Sequence, residues 1–274
     1  MLKVLSLFDG ISCGQLALQK LGYNETNMVY YASEIDKHAI KVTQHNFPNT
    51  IQLGDINCWM NWDIDWRNID LVLAGSPCQG FSIAGKQLNF NDNRSKLFYE
   101  FVNIMNAIKA VNNNIIYLLE NNKMKKEYEN TITKILGSSP VQINSKLISA
   151  QNRDRLYWSN KSILIPPDLN IPLSSIVGDY KGIWVYPRGY NKGGVQGYNN
   201  KCPTITTSSW QHNFKICLDE KGNLRDFTPE ECEQIQTLPI GYTDVLSSNQ
   251  RIKAIGNGWT VDVIVHILRQ LLTI

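Results

Sequence analysis

The sequence predicts an open α/β fold, a mostly parallel sheet flanked by helices, joined to a smaller loop-rich region. Three observations predict it. Short apolar runs of strand length recur from Leu2 to Trp158, most of them followed by a helix-length segment. Several of these runs end in Gly, Asp, Glu or Asn, the residues that open α/β sheets place at their carboxyl ends. From about Ser162 the pattern gives way to crowded prolines, glycines and aromatics.

Composition sets the bounds. A length of 274 residues suits one large α/β domain, or a large domain with a small companion. Hydrophobic residues make up 43%, enough for a real core, and charged residues only 19%, which excludes a disordered polyelectrolyte. The net charge of +3 neither requires nor opposes a nucleic-acid partner. Six cysteines are scattered without CxxC or metal-ligand spacing, so reduced thiols in a cytosolic protein and no metal are expected. No signal peptide is indicated, and no apolar run reaches the roughly 18 residues of a membrane span.

Leu2 to Phe8 is the first strand. Asp9-Gly10-Ile11-Ser12-Cys13-Gly14 is a turn, and Gln15 to Leu21 a helix stopped at Gly22. A strand, glycine loop and helix suit a nucleotide-like ligand. The dinucleotide pattern GxGxxG is absent, however, and a plain tight turn is the lesser alternative for Gly10 and Gly14. Met28 to Ser33 is the second strand and ends in Glu34-Ile35-Asp36; an acid there is placed to grip ribose hydroxyls. Lys37 to Asn46 reads as a helix. Ile51 to Leu53 is a third strand, closing with Gly54-Asp55-Ile56, where Asp55 can bond an adenine amino group and Ile56 cover the ring face. Each acid alone would also serve as a helix cap or a surface charge.

Ile69 to Leu73 is a buried parallel strand. Gly75, Pro77 and Gly80 then break regular structure, so Cys78 sits in a loop at a strand's carboxyl end; a buried structural cysteine is the alternative. A polar loop from Gly85 to Asn93 leads to Arg94, placed to meet phosphates, and to a helix from Leu97 to Val111. Ile115 to Leu119 is a further strand. Glu120 follows it at the rim of the core, with a raised tendency to hold a proton. Glu127 to Leu136 is a helix ended by Gly137, and Val141 to Ser149 alternates as a strand. Arg153 and Arg155 lie two apart, so on an extended strand both face one way.

The catalytic part is expected to cover residues 1–160 and 251–274, with a small domain and return segment over 161–250. Arg188, Lys192 and Lys201 interleave with tyrosines there, a mix that suits nucleic acid. Pro203 to Thr207 resumes a strand. Thr228 and Pro229 open a helix as cap and first residue. Gly256-Asn257-Gly258-Trp259 reads as a tight turn before a last amphipathic helix, Thr260 to Leu272.

Together the motifs resemble those of the DNA (cytosine-5) methyltransferases, in the family's order through nearly the whole chain. Phe8-Asp9-Gly10 with Ser12 and Gly14 resembles the cofactor loop, Glu34 with Ile35 the ribose acid, and Asp55-Ile56 the adenine contacts. Ser76-Pro77-Cys78-Gln79 resembles the nucleophile motif. Glu120-Asn121 resembles Glu-Asn-Val, with Asn122 in place of valine, and Gln151 to Arg155 resembles Gln-x-Arg-x-Arg. Gly256-Asn257-Gly258 resembles the last motif, while Trp259 is more similar to the animal de novo enzymes. The loop from Phe81 to Arg94 is similar to that of bacterial restriction-system enzymes, with Ala84 in place of a serine. The carboxyl half, including Thr204 to Thr207 and Leu238 to Val245, is more similar to the animal de novo enzymes.

The resemblance implies a class I S-adenosylmethionine-dependent, Rossmann-like fold with a small target-recognition domain. It implies S-adenosylmethionine as methyl donor, S-adenosylhomocysteine as product and double-stranded DNA as partner. Cys78, Glu120, Arg153 and Arg155 would be catalytic. Phe8, Asp9, Gly10, Ser12, Gly14, Glu34, Ile35, Asp55, Ile56, Pro77, Asn257 and Trp259 would hold the cofactor. Gln79, Ser82, Arg94, Arg188, Lys192 and Thr206 would meet DNA. The expected setting is the cytoplasm of a bacterial or phage-infected cell, and monomer and homodimer stay equally open. Two rivals remain: a tRNA cytosine methyltransferase, whose Cys-Phe-Thr element is absent here, and a catalytically silent DNA-binding regulator, against which the intact set Cys78, Glu120, Arg153 and Arg155 argues.

Overall fold

The computed structural model describes residues 1–76, 93–187, 192–196, 200–209 and 213–273, and of residues 93–95 the backbone only. The chain forms two compact units, one of residues 1–143, 154–165 and 265–274, the other of residues 144–153 and 166–264. Packing thus groups residues 144–153 and 251–264 with the second unit, whereas the functional division expected from the sequence placed them with the catalytic part.

The first unit is built on strands β1 (Leu2–Leu7), β2 (Met28–Ser33), β3 (Ile51–Gln52), β4 (Leu71–Gly75), β5 (Ile116–Asn122), β6 (Val141–Asn144) and β7 (Asp154–Ser159), in the order β3-β2-β1-β4-β5-β7-β6. The pairs β3–β2, β2–β1, β1–β4 and β4–β5 are parallel, and β7 joins β5 antiparallel. The central strands carry the apolar runs expected of strands buried on both faces: Val4, Leu5, Leu7, Val72, Leu73, Leu118 and Leu119 are all 0% exposed. Burial of each such side chain is worth about 1.5–3 kcal/mol.

Helix α1 (Cys13–Lys20) follows β1, and α2 (Lys37–Asn46) follows β2. Asp36 starts α2 by accepting from His38 N at 2.8 Å, so this acid is a cap. Helix α3 (Asn93–Lys109) buries Phe98, Phe101, Met105 and Ile108, one stripe at helical spacing. Helix α4 (Lys126–Leu136) stops at Gly137, whose φ of 70° is left-handed.

Two strands differ from expectation. Val141 to Ser149 is not one strand: β6 ends at Asn144, whose side chain accepts from Lys146 N (3.0 Å) and starts a 3-10 turn over Ser145–Leu147. Side-chain-to-backbone turn chemistry has overridden the alternation. Glu120, expected just after its strand, lies within β5.

The second unit holds a four-stranded antiparallel sheet that the sequence reading passed over as loop. Its strands are β8 (Gly182–Val185), β9 (Gly194–Gln196), β10 (Phe214–Cys217) and β11 (Leu224–Arg225), in the order β11-β10-β8-β9. They run two to four residues, too short to show a period. Helices α5 (Ser174–Val177), α6 (Pro229–Ile235) and α7 (Ser248–Asn257) complete the unit, and α8 (Val261–Leu271) begins in it. Thr228 caps α6 reciprocally with Glu231, behind Pro229. Pro203 to Thr207 is not a strand; only Cys202 pairs, in an isolated bridge with Gln151. Gly256 and Asn257 are not a turn but the end of α7, which a Ser247–Gln250 capping box had already started.

Candidate active site

The carboxyl ends of β3, β2, β1, β4 and β5 are neighbours along one sheet edge, so the residues that follow them are brought together. After β1 the chain turns through three left-handed residues, Phe8 (φ 59°), Gly10 (φ 60°) and Ser12 (φ 57°). Such a conformation strains a phenylalanine, and strain of this kind concentrates at functional loops. The loop is pinned from inside. Asp9 accepts from Ser12 Oγ at 2.5 Å and from Tyr30 OH at 2.9 Å. Burial pushes the Asp9 carboxyl up to about 6; hydrogen bonds from Ser12, Ser6 and Tyr30 oppose the shift, and the charge of Glu34 adds to it. Asp9 was expected to touch the cofactor. Its carboxylate accepts from Ser12 and Tyr30 and so shapes the loop. Tyr30, which the sequence reading passed over as a strand residue, is part of the same device.

Glu34 ends β2. Its carboxylate accepts from Gly10 N (2.8 Å), Ile35 N (2.8 Å) and Asp36 N (2.9 Å), which ties the first and second strand ends together. Ile35 beside it is 74% exposed, whereas Ile56, expected to cover a ring, is 4% exposed and packs in the core. Asp55 is exposed and caps a 3-10 turn, accepting from Asn57 N at 2.9 Å. Gly14 is buried in the first turn of α1.

At the end of β4, Gly75 stands opposite Glu120 of β5 in parallel register. Ser76 follows, 5% exposed, and its hydroxyl has no hydrogen-bond partner among the described residues. Pro77, Cys78, Gln79 and Ser82 lie outside the described residues, as do Arg188 and the side chain of Arg94. Glu120 is 8% exposed, and its Oε1 lies 2.9 Å from Arg155 Nε. Arg155 stands across β7 from Asn122, two residues along from Glu120, the diagonal position within side-chain reach.

The two arginines, expected to act together, have different partners. Arg153 precedes β7 and is 5% exposed. Its guanidinium donates to the carbonyls of Ile205 (2.7 Å), Gly256 (3.3 Å) and Gly258 (2.9 Å). A fork of fixed donors suits several carbonyls at once, so Arg153 holds backbone, while Arg155 holds a carboxylate. Gln151 belongs to the same network. Its Nε2 donates to Gln236 Oε1 (2.8 Å), and its Oε1 accepts from Ile205 N (2.9 Å). Gln236 Nε2 donates in turn to the carbonyls of Ile255 (3.0 Å) and Gly258 (3.0 Å). Nothing in the sequence singles out Gln236, since its partners are distant backbone atoms. Gly256 fits here for lack of a side chain: a Cβ would lie 2.2 Å from the Thr206 carbonyl carbon.

Of the remaining expected contacts, Asn257 is exposed at the end of α7 and Trp259 is half-buried. Lys192 and Thr206 are exposed. Lys201 is not available to a nucleic acid: its ammonium donates to the carbonyls of Ser149 (2.9 Å) and Ile171 (2.6 Å), and burial pulls its pKa down. Among the described residues no helix is long and apolar enough to cross a membrane.

These groups fit a nucleoside-type cofactor. A carboxylate with acceptor capacity left sits beside an exposed Ile35. The space above Gly10 is open to a backbone-hugging ligand, with nothing within 4 Å of where a Cβ would stand. Ser76 carries an orphaned hydroxyl at the adjoining strand end. A mostly parallel seven-stranded sheet with these strand ends is the Rossmann-like architecture of S-adenosylmethionine-dependent methyltransferases. The sequence matches the C-5 cytosine-specific DNA methylases over residues 2–158 and 109–273, and the chain belongs to that family. Its activity is that of a DNA cytosine-5 methyltransferase.

Among its relatives, the Type II methyltransferase M1.ScrFI of Lactococcus lactis subsp. cremoris is 29% identical over 99% of this chain and 78% of its own. The Type II methyltransferase M.Bsp6I of Bacillus sp. (strain RFL6) is 27% identical over 97% of both chains. The fold is similar to that of the Entamoeba histolytica methyltransferase EhMeth, with a TM-score of 0.73 at 17% identity, covering 100% of this chain and 98% of that one.

Proposed function

We propose that the chain moves a methyl group from S-adenosylmethionine to C5 of a cytosine flipped out of double-stranded DNA, through a covalent bond between Cys78 Sγ and C6. One observation carries this reading. Glu120 stands in register with Gly75, three residues ahead of Cys78 in sequence, and is held by Arg155 at 2.9 Å. A carboxyl group that can engage a base edge thus adjoins the strand that leads to a thiol.

The roles follow from the chemistry. Bound S-adenosylmethionine supplies an electrophilic methyl on a sulfonium. Loop 8–12, Glu34, Ile35 and Asp55 would hold it. Cys78 attacks C6 as thiolate. Glu120 bonds the exocyclic amine and delivers a proton to N3, so the ring becomes an enamine and C5 can take the methyl. Arg155 orients Glu120 and supports charge at the base carbonyl. Methyl transfer releases S-adenosylhomocysteine; loss of the C5 proton to a base then restores the C5–C6 double bond and expels the Cys78 thiolate, and N3 returns its proton to Glu120. Flipping the target base costs a few kcal/mol, roughly, which contacts to duplex and base must offset. Residues 161–250, with Lys192 and Thr206, would read the flanking sequence, and the named relatives suit a modifying role beside a restriction enzyme.

Incubation with labelled S-adenosylmethionine and either duplex DNA or tRNA tests the substrate; label in tRNA alone would move the reading to a tRNA methyltransferase. A duplex carrying 5-fluorocytosine at the methylated position, with cofactor, should trap a covalent complex that Cys78→Ser cannot form. No adduct with intact protein would overturn the nucleophile assignment, and DNA binding without transfer would indicate a silent regulator.

A further inference from the structure

Beyond Glu120 the chain continues as Asn121-Asn122-Lys123-Met124-Lys125-Lys126 into α4. From the structure we infer that Lys123 and Lys125 form a phosphate-binding edge for duplex DNA beside the target nucleotide. The inference rests on the methyltransferase reading above. The segment is extended, with Lys125 at φ −61° and ψ 144°. Neighbouring side chains in it therefore alternate in direction. Met124 is 5% exposed and packs in the core, so Lys123 and Lys125 on either side of it both point outward, and both are exposed.

Three further points favour a polyanion over plain solvent. Lys126, the third basic residue, is paired with Glu129 within α4, so its charge is already balanced in the helix although it faces solvent, as Glu127 does. Lysines at a helix start oppose the helix dipole, so local folding does not favour them there. Their position is also set by the site. At about 3.3 Å per residue, Lys123 lies roughly 10 Å beyond Glu120 along the strand. The two lysines are about 6.6 Å apart along the chain, so both can face one backbone. Contacts of this kind position the duplex without reading its sequence.

The test measures binding of a short fluorescein-labelled DNA duplex by anisotropy across a salt series, for wild type, Lys123→Gln/Lys125→Gln, Lys123→Arg/Lys125→Arg and Lys126→Gln. The glutamine pair should weaken binding and reduce the slope of log K against log salt by about one per lysine. The arginine pair should keep the wild-type slope, and so should Lys126→Gln. A glutamine pair with wild-type slope and affinity overturns the inference; so does a loss of slope seen with tRNA and not with duplex DNA. Thermal melting of each variant shows that it folds. Failure of the wild type itself to bind and methylate duplex DNA would refute the functional reading, while a methylating wild type matched by the glutamine pair would refute only this surface.

Discussion

Replacing Arg153 by alanine separates two roles that lie two residues apart. The guanidinium is 5% exposed and donates to three carbonyls. Gly258 O keeps a second donor, Gln236 Nε2 at 3.0 Å. The carbonyls of Ile205 and Gly256 would lose Arg153 as their donor. Each buried orphan costs about 1–3 kcal/mol, and the lost stem leaves a void. A destabilisation of about 4 kcal/mol follows, within the range for breaking a buried charged network. For a chain of this size that lowers Tm by roughly 10 °C. Arg155→Ala removes a partner of Glu120 at the sheet edge, with 14% of the Arg155 side chain exposed. It should cost turnover while lowering Tm by only a few degrees, roughly. Differential scanning calorimetry and methyl transfer on both variants decide the matter. If Arg153→Ala melts like wild type yet loses turnover, the assignment of Arg153 to backbone support is wrong.

Other outcomes follow from single contacts. Glu120→Gln should cut turnover about 10²-fold or more with little change in Tm, as measured by steady-state transfer to DNA. Gly256→Ala should destabilise strongly, because its Cβ would meet backbone at 2.2 Å and no flexible group is there to move; urea unfolding should show a lower midpoint with an unchanged m value. Asp9 gives a pH dependence. Its folded pKa of about 6 lies above the ordinary carboxyl value of 3.8, so its contribution to stability is complete below 3.8 and is lost as pH rises through 6. The loss is at most about 3 kcal/mol. Melting temperatures of Asp9→Asn, compared with wild type from acid to neutral pH, should lack this decline; a parallel decline in both would show that Asp9 does not cause it.

The sequence by itself determined the parallel sheet and the type of group at each strand end. Apolar runs such as Leu71 to Ala74 can sit only where both faces are covered, and glycines and acids can follow them only at an edge. The sequence also carried the family, because the motifs around Cys78, Glu120 and Arg155 stand in that family's order. It could not show that Arg153, at the same spacing, spends its donors on backbone from Ile205 to Gly258, because those partners lie 52 to 105 residues away. Nor could it show that Asp9 accepts from Tyr30, or that Gly256 is a helix end pressed against Thr206. Local pattern is set by neighbours in sequence, through burial and backbone propensity. The destination of a buried polar group is set by which distant donor or acceptor the packed chain brings within 3 Å, roughly, and only the tertiary structure decides that.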